Sequence, residues 1–392
     1  MVYRSIYITA AFGAGIILTL GFKDVYPDLE RRFRRRLRSN RAPQSLQPDT
    51  TNRAIALSDQ TTGTPNPEKD LEILEGIEGC IGNTPLFRIK SLSKITGCEI
   101  LAKAEVLQGS FPAEEEGRLS PYSGDVIYEG TVGSTGISLA ALCRARGYMA
   151  HICMPNDQAQ EKSDLLLKLG AEVERVQPAP IIDQNQFVNK ARSLAADHTA
   201  DRSRAGRGFF ADQFENEANW HAHFEGTGPE IYRQTGGYLD AFVAGAGTGG
   251  TISGVARFLK PKLPNLKIVL ADPQGSGLYN RIKYGVMFDP KEKEGTRRRH
   301  QVDTIVEGIG INRVTKNFEA GRELVDDAIR VDDDQAIAMA RWLVENDGIF
   351  AGSSSCVNCE PTHLIVESLL TGYAKASLLF DLQRSLDLVI GS

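Results

Sequence analysis

The sequence predicts an α/β protein built on parallel sheets, and two observations support this prediction. Short apolar runs alternate with helical patterns from Leu71 onward. Alternation of strands and helices produces a parallel sheet with helices on both faces. Two glycine-rich stretches also fall between a predicted strand and a predicted helix, which is where backbone N–H groups gather to bind anions.

The individual elements follow from these patterns, and no internal repeat is apparent. The predicted strands are Glu99–Leu101 extending to Lys103, Val126–Tyr128, Ala150–Met154, Glu172–Val176, Ala241–Ala244 and Lys267–Ala271. The predicted helices are Ile137–Arg146, Gln160–Leu169, Phe187–Asp197, Gly250–Lys260 and Asp333–Asp347.

Charge is distributed unevenly along the chain of 392 residues, which is long enough for two or three domains. Residues 1–41 hold nine Lys and Arg against three acidic residues, a net +6, so the total of −5 leaves −11 on residues 42–392. An acidic body argues against nucleic acid as a partner, because nucleic-acid binding needs a basic face.

The six cysteines show no spacing typical of a disulfide framework, so we expect reduced thiols. Cys356 and Cys359 form a CxxC pair without a second ligand pair at suitable spacing. The sequence therefore predicts no metal site.

The N-terminus carries an apolar stretch that predicts a membrane anchor. Residues 5–22 are uncharged and just long enough to cross a bilayer, and the basic cluster Arg31–Arg41 follows. A cleaved secretory signal, a matrix presequence and a buried helix are the alternatives, but charge after the apolar run favours a retained signal anchor. We expect residues 1–22 to hold the protein in the mitochondrial outer membrane with its body in the cytosol, or else in the endoplasmic reticulum. We expect residues 23–70 to form a basic flank and a disordered linker.

The first motif that indicates chemistry is the run Ala244–Thr251, AGAGTGGT, which joins a predicted strand to a predicted helix. Its glycines allow backbone N–H groups to approach an anion, which indicates a phosphate cradle. The run also fits G-x-G-x-x-G, and Asp272 ends the next predicted strand, where a ribose-binding acid would lie. A dinucleotide fold and simple glycine packing therefore remain alternatives at this point.

The second motif, Glu129–Ser138, offers hydroxyls and N–H groups at another helix start, which suits a carboxylate. A dinucleotide oxidoreductase does not need a second anion loop. An enzyme that uses pyridoxal 5′-phosphate (PLP) on an amino acid needs one loop for each anion. A third stretch, Gly348–Ser355, reads alone as a turn or a helix cap.

Taken in order, these motifs resemble the fold-type-II PLP enzymes of the cysteine synthase and cystathionine β-synthase family. The resemblance covers roughly residues 71–355 and is close to a fungal mitochondrial, membrane-anchored branch. The further matching stretches are Ile81–Leu86 (IGNTPL), Met154-Pro155, Glu161-Lys162, Gly170–Val173 (GAEV), Asp212–Asn216 (DQFEN), Thr227–Ile231 (TGPEI), Asp272–Ser276 (DPQGS) and Glu307–Gly310 (EGIG).

The resemblance implies a tryptophan-synthase-β-like fold with two α/β domains, each on a parallel sheet, after the N-terminal transmembrane helix. Residues 71–100 would cross onto the larger domain, 101–212 would form the smaller domain with the substrate loop, and 213–392 the larger domain with the phosphate loop, divergent after Cys359. The implied activity is β-replacement, which forms cysteine from O-acetylserine or serine and sulfide. A homodimer is also implied.

The resemblance also implies a set of binding residues. Ser134 would contact the PLP hydroxyl, although the family has Asn there, and Ser354 would meet the pyridine nitrogen. The PLP phosphate would be held by Gly247, Thr248, Gly249, Gly250 and Thr251. The substrate carboxylate would be held by Thr131, Gly133, Thr135 and Gln213.

The segment that carries the Schiff-base lysine in the family has no counterpart here. No lysine occurs between Lys103 and Lys162, and Lys103 corresponds to a strand lysine of the family. We therefore identify no catalytic residue. A mis-joined gene model and a degenerate copy both explain the loss. The alternatives to a cysteine synthase are a non-catalytic, membrane-tethered protein that binds PLP or an amino acid, a cystathionine β-synthase, and a serine or threonine dehydratase.

Overall fold

The structure, a computed structural model, describes residues 81–105, 112–287, 304–369 and 377–383. The predicted anchor at residues 5–22 and the flank and linker at 23–70 lie outside these ranges. Among the helices within these ranges, none has the length and apolar character needed to cross a bilayer.

The larger sheet has six strands in the order β1-β2-β10-β7-β8-β9. The strands are β1 (Leu86–Arg88), β2 (Glu99–Glu105), β7 (Ala241–Ala244), β8 (Lys267–Pro273), β9 (Asp327–Val331) and β10 (Ser377–Gln383). Among these described strands β1 alone runs antiparallel to its neighbour. Residues of β7 are buried along its whole length, as expected of a parallel strand that helices cover on both faces.

The smaller sheet is parallel throughout and has the strand order β5-β4-β3-β6. Its strands are β3 (Val126–Gly130), β4 (Met149–Pro155), β5 (Glu172–Val176) and β6 (Gly208–Phe210). Each sheet has two apolar clusters. In the larger sheet they alternate along the strands, so that Val243 joins one cluster while Phe242 and Ala244 join the other. This alternation follows from the two-residue period of a strand.

Helices connect the strands of both sheets. They are α1 (Lys90–Thr96), α2 (Pro112–Glu115), α3 (Ser134–Arg146), α4 (Gln160–Lys168), α5 (Phe187–Ala200), α6 (Ala218–Ala222), α7 (Gly228–Gln234), α8 (Gly250–Leu259), α9 (Leu278–Tyr284), α10 (Lys316–Glu319), α11 (Asp333–Asp347), α12 (Ser353–Cys359) and α13 (Thr362–Leu369). A π-helical turn, His223–Thr227, separates α6 from α7. Local signals set the ends: Asp332 and Gln335 form a capping box before α11, and Gly348 ends it in a left-handed conformation.

The predicted α/β architecture with parallel sheets is confirmed, but one placement differs from the sequence prediction. Residues 101–105 were expected to open the smaller domain, yet β2 pairs with β1 and β10 in the larger sheet. The chain after Cys359, which is expected to diverge from the family, contributes β10, and this strand lies between β2 and β7. Because β10 is one isolated apolar run that follows no family motif, nothing local in the sequence indicated its central place.

Candidate functional site

The glycine-rich loop between β7 and α8 has the geometry of an anion cradle. Gly249 has φ +84°, and a Cβ on it would lie 2.5 Å from the Cβ of Phe318. A Cβ on Gly250 would lie 1.9 Å from Asn219 Oδ1, and one on Gly247 would lie 2.1 Å from the carbonyl oxygen of Gly308. The loop therefore requires glycine at all three positions, and it leaves the first N–H groups of α8 free of intrahelical bonds, which begin at Ser253.

Side chains from elsewhere in the chain form hydrogen bonds with Thr248 and Thr251 of this cradle. Asn219 Nδ2 donates to Thr248 Oγ1 at 3.0 Å, and the hydroxyl of Thr315 donates to the carbonyl oxygen of Thr248 at 2.6 Å. His223 Nε2 lies 3.2 Å from Thr251 Oγ1. Burial lowers the pKa of His223 to about 4, so the imidazole is neutral near pH 7 and acts as a hydrogen-bond partner, without adding charge to the site.

The predicted substrate loop follows β3 and opens α3. Thr131 is buried, and its hydroxyl accepts a bond from the N–H of Gly133 at 3.2 Å. Thr135 Oγ1 donates to Gln213 Oε1 at 2.7 Å, and Gln213 Nε2 donates to the carbonyl oxygen of Gly130 at 2.9 Å. Four predicted substrate-binding residues are thus brought together, three on one loop and one from another segment. Their contact with a carboxylate remains a prediction.

Glu129, the last-but-one residue of β3, supports this loop through its hydrogen bonds with Gln213. It is fully buried and accepts bonds from the Gln213 backbone N–H at 3.3 Å and from Gln213 Nε2 at 3.2 Å. Burial raises the pKa of Glu129 to about 8. The side chain is therefore mostly protonated at pH 7, so it orients Gln213 without placing a second negative charge beside the loop.

A short chain of contacts joins the two anion loops. The side-chain nitrogen of Asn219 donates to the carbonyl oxygen of Gln213 at 2.8 Å as well as to Thr248. Asn317 Nδ2 donates to the same Gln213 oxygen at 2.9 Å. Asn219 therefore contacts both Gln213, which is bonded to the substrate loop, and Thr248 of the phosphate cradle, so the two loops belong to one site.

A second link runs through Lys162, in the first turn of α4. Its Nζ lies 3.4 Å from the carbonyl oxygen of Val132 and 2.5 Å from Glu307 Oε2. Glu307 precedes the glycine that abuts the phosphate cradle, and its N–H donates to Ser353 Oγ at 3.2 Å. This contact ties the start of α12, which carries Ser354, to the same site. Ser134 opens α3 beside Gly133.

Lys103 lies apart from these loops and is fully engaged. It is buried, and its ammonium donates to Glu230 Oε2 at 2.7 Å, to the carbonyl oxygen of Thr84 at 2.7 Å and to Gln234 Oε1 at 3.0 Å. A lysine ammonium has three donors, and each is used here. Lys103 is therefore a structural cation of the larger sheet, and that it is not the Schiff-base lysine stays a prediction.

The sequence did not indicate Asn219, His223, Thr315 or Asn317 as parts of the site. Their contacts join residues 29, 28, 67 and 104 positions apart. No local motif encodes such long-range hydrogen bonds. Asn219 and His223 do lie between two stretches that match the family, DQFEN and TGPEI, which was the only available signal.

Comparison with known proteins gives the class to which this site belongs. Residues 77–361 match the family model described as pyridoxal-phosphate dependent enzyme. The chain belongs to this family.

Within the family the chain is similar to fungal cysteine synthases. It is 64% identical to cysteine synthase 2 of Emericella nidulans over 380 residues, covering 91% of this chain and 86% of that protein. It is 56% identical to cysteine synthase 2 of Neurospora crassa, covering 97% and 90%. It is 54% identical to the putative mitochondrial cysteine synthase of Saccharomyces cerevisiae, covering 76% and 79%.

Among solved structures the chain is similar to O-ureido-L-serine synthase, with TM-score 0.64 and 27% identity over 79% of this chain and 92% of that one. A lysine-to-alanine mutant of that enzyme with O-ureido-L-serine bound gives TM-score 0.62 and 26% identity, over 79% and 90%.

The residues present fit the PLP phosphate, because the cradle offers glycines at which a Cβ would clash and the N–H groups of a helix start that make no intrahelical bond. They do not supply the family's lysine. The alignment with the Neurospora crassa protein spans 408 positions, more than the 392 residues of this chain, so some aligned positions of that protein have no counterpart here.

Proposed function

We propose that this fold and site serve PLP-dependent β-replacement, which forms L-cysteine from O-acetylserine, or serine, and sulfide. The observation that carries the proposal is the pair of anion loops joined through Asn219. One loop suits the cofactor phosphate and the other an amino-acid carboxylate. The identity to cysteine synthases supports the same reaction. A cystathionine β-synthase of Dictyostelium discoideum is less similar, at 33% identity over 61% of that protein.

Each group of residues has a defined task in this proposal. PLP, when bound, supplies an electron sink for bond breaking at the substrate. The cradle Gly247–Thr251 holds its phosphate, Ser134 meets its ring hydroxyl, and Ser354 offers a neutral hydroxyl to its pyridine nitrogen. Gln213 and the loop from Thr131 to Thr135 orient the substrate carboxylate.

A second function, binding of PLP or an amino acid without turnover, is favoured by the lysine count. The chain has no lysine between Lys103 and Lys162, and every donor of Lys103 is engaged. O-ureido-L-serine is bound to a lysine-to-alanine mutant of O-ureido-L-serine synthase. We propose that this chain, as its sequence stands, binds without turnover and that the lysine segment would restore catalysis.

Three proteins test both proposals: the chain as it stands, a version in which residues 106–124 are replaced by the corresponding segment of the Emericella nidulans cysteine synthase 2, and that version with the inserted lysine changed to alanine. Cysteine formation from O-acetylserine and sulfide is measured, together with PLP retention. We expect PLP on all three proteins and cysteine only from the second. Cysteine made by the unaltered chain would exclude binding without turnover. Failure of the lysine-restored protein to bind PLP would overturn the cysteine synthase proposal.

We also propose that residues 5–22 anchor the protein in the mitochondrial outer membrane with the body in the cytosol. The uncharged stretch, the basic flank and the name of the Saccharomyces cerevisiae relative support this. Carbonate extraction and protease treatment of intact mitochondria test it. The body should be digested and residues 5–22 should stay with the membrane, whereas recovery in endoplasmic-reticulum vesicles would contradict the address. The homodimer is likewise a proposal, tested by light scattering.

A further inference from the structure

One face of the smaller sheet gathers a histidine, a cysteine and a glutamate away from the cofactor site. His151 and Cys153 are two residues apart on β4, so their side chains share a face. In β5, Glu172 lies opposite His151 and Glu174 lies opposite Cys153. The ligand atoms of His151, Cys153 and Glu174 all lie within 4.8 Å of one another. Two paired strands thus present three metal-ligating side chains from rigid positions.

The imidazole of His151 is oriented as a metal ligand would be. Its Nδ1 lies 2.9 Å from Glu172 Oε2, so the carboxylate fixes the proton on Nδ1 and turns Nε2 toward the cluster. Metal-ligating histidines usually have a carboxylate or carbonyl in this position. Nε2 is shielded from solvent and has no hydrogen-bond partner. A buried acceptor without a partner is costly, and a cation would satisfy it.

The spacing between the nitrogen and oxygen atoms also suits a shared ion. His151 Nε2 and Glu174 Oε2 are 3.6 Å apart, beyond hydrogen-bonding distance. Zinc bound tetrahedrally, with bonds of about 2.0–2.2 Å to nitrogen and oxygen, separates two such ligand atoms by about 3.4 Å. The other oxygen of Glu174 lies 3.5 Å from Lys190 Nζ. One carboxylate oxygen of Glu174 therefore faces Lys190, and the other faces His151.

The charges of the three side chains suit a divalent ion. Cys153 is fully buried, and a metal must displace its thiol proton when it binds. The resulting thiolate and the Glu174 carboxylate neutralise the two positive charges of the ion. One sulfur, one nitrogen and one oxygen ligand match the preferences of Zn²⁺.

A protonated His151 bridging Glu172 and Glu174 is the competing explanation for the same geometry. That arrangement accounts for the 2.9 Å contact to Glu172, but it leaves Nε2 without a hydrogen bond at 3.6 Å and assigns nothing to Cys153. The two explanations differ in whether the thiol takes part, so an experiment that reports on sulfur ligation separates them.

We propose that His151, Cys153 and Glu174 bind Zn²⁺, with Glu172 as the positioning residue of the histidine. The ion would join β4 to β5 beneath α5. Sequence analysis does not predict this site, because its ligands are split between two strands and follow no CxxC spacing.

Cobalt substitution of the full chain tests the proposal. Co²⁺ is added after chelator treatment, and the difference spectrum is read against the same sample before addition, so that absorption by PLP cancels. We expect one equivalent to give a thiolate-to-cobalt charge-transfer band in the near ultraviolet, and Zn²⁺ to displace it and raise the melting temperature. Cys153→Ser should abolish the band. Cys143→Ser, a change at a buried cysteine in the other apolar cluster of the same sheet, should preserve it.

Two further variants keep the test decisive if Cys153→Ser fails to fold. Glu174→Gln should weaken Zn²⁺ binding strongly, and Glu172→Gln should weaken it about 10- to 100-fold, as loss of a supporting carboxylate does in other zinc sites. The absence of a thiolate band at one equivalent of Co²⁺, or a band that survives in folded Cys153→Ser protein, would overturn the proposal and favour the protonated histidine.

Discussion

Replacing Lys103 with methionine tests whether this lysine is structural. The side chain of Lys103 is 1% exposed and that of its partner Glu230 is 10% exposed. Removing one member of a buried ion pair leaves an uncompensated charge and costs about 3–5 kcal/mol. We therefore expect Lys103→Met to lower the free energy of unfolding by about this amount, measured by urea denaturation.

Two further variants separate charge from packing. Glu230→Gln added to Lys103→Met removes the stranded carboxylate, so the double variant should recover part of the loss. Arg88→Met breaks the exposed ion pair between β1 and Glu99 of β2, and it should change stability by less than about 1 kcal/mol.

The effect of Lys103→Met should also depend on pH. Burial alone would raise the pKa of Glu230, but hydrogen bonds from Lys103 and from the N–H of Asn83 hold it below its ordinary value of 4.5. A depressed folded-state pKa contributes stability that is present above the unfolded pKa and is lost as pH falls through the folded one. The difference between wild type and variant should be largest at neutral pH and should already shrink as pH falls toward 4.5, because burial raises the pKa of Glu230 once Lys103 is gone and protonation removes the unpaired charge.

The same variant should retain PLP, because Lys103 contacts neither anion loop. Unchanged stability together with lost PLP binding would refute the structural assignment and place Lys103 in the cofactor site.

Three further predictions concern the two anion loops. His223→Phe removes one hydrogen bond to Thr251 and should weaken PLP binding about five-fold, as expected from roughly 1 kcal/mol per bond; a spectroscopic titration of PLP measures this, and unchanged affinity would contradict the role of the histidine. Gly250→Ala should abolish PLP binding, whereas Gly226→Ala, where an added Cβ meets nothing within 4 Å, should leave it unchanged in the same titration. The raised pKa of Glu129 means that ionisation of its carboxyl opposes folding. The free energy of unfolding should therefore fall as pH rises from about 4.5 to about 8, by at most about 1.4 kcal/mol per pH unit. Glu129→Gln should remove this slope in urea denaturation, and a slope that persists would contradict the assignment.

Local patterns predicted much of the fold. The helix predicted at Asp333–Asp347 has those bounds in the structure, where a capping box and a left-handed glycine define its ends. The glycine-rich loop was predicted from its position between a strand and a helix, and its glycines prove sterically required. Such features depend on residues a few positions apart, so they can be predicted from a local stretch of sequence.

The features that local patterns did not predict depend on contacts between residues distant in sequence. Strand β10 is central to the larger sheet because it pairs with β2 and β7, which are distant in sequence. Asn219 and His223 reach the cradle only after the chain between them and β7 has folded back. The zinc candidate has the same origin, because the register of β4 on β5 brings Glu174 beside Cys153.

We propose that the chain keeps the cofactor cradle and that none of its lysines joins the cofactor. Borohydride treatment of the PLP-loaded chain, followed by mass spectrometry of its peptides, tests this most directly. We predict that PLP is retained reversibly, that Gly250→Ala abolishes the retention, and that no lysine carries a reduced pyridoxyl group in stoichiometric amount. A single lysine modified stoichiometrically, at Lys103 or at Lys162, would contradict the account and identify the residue that has taken over the missing role.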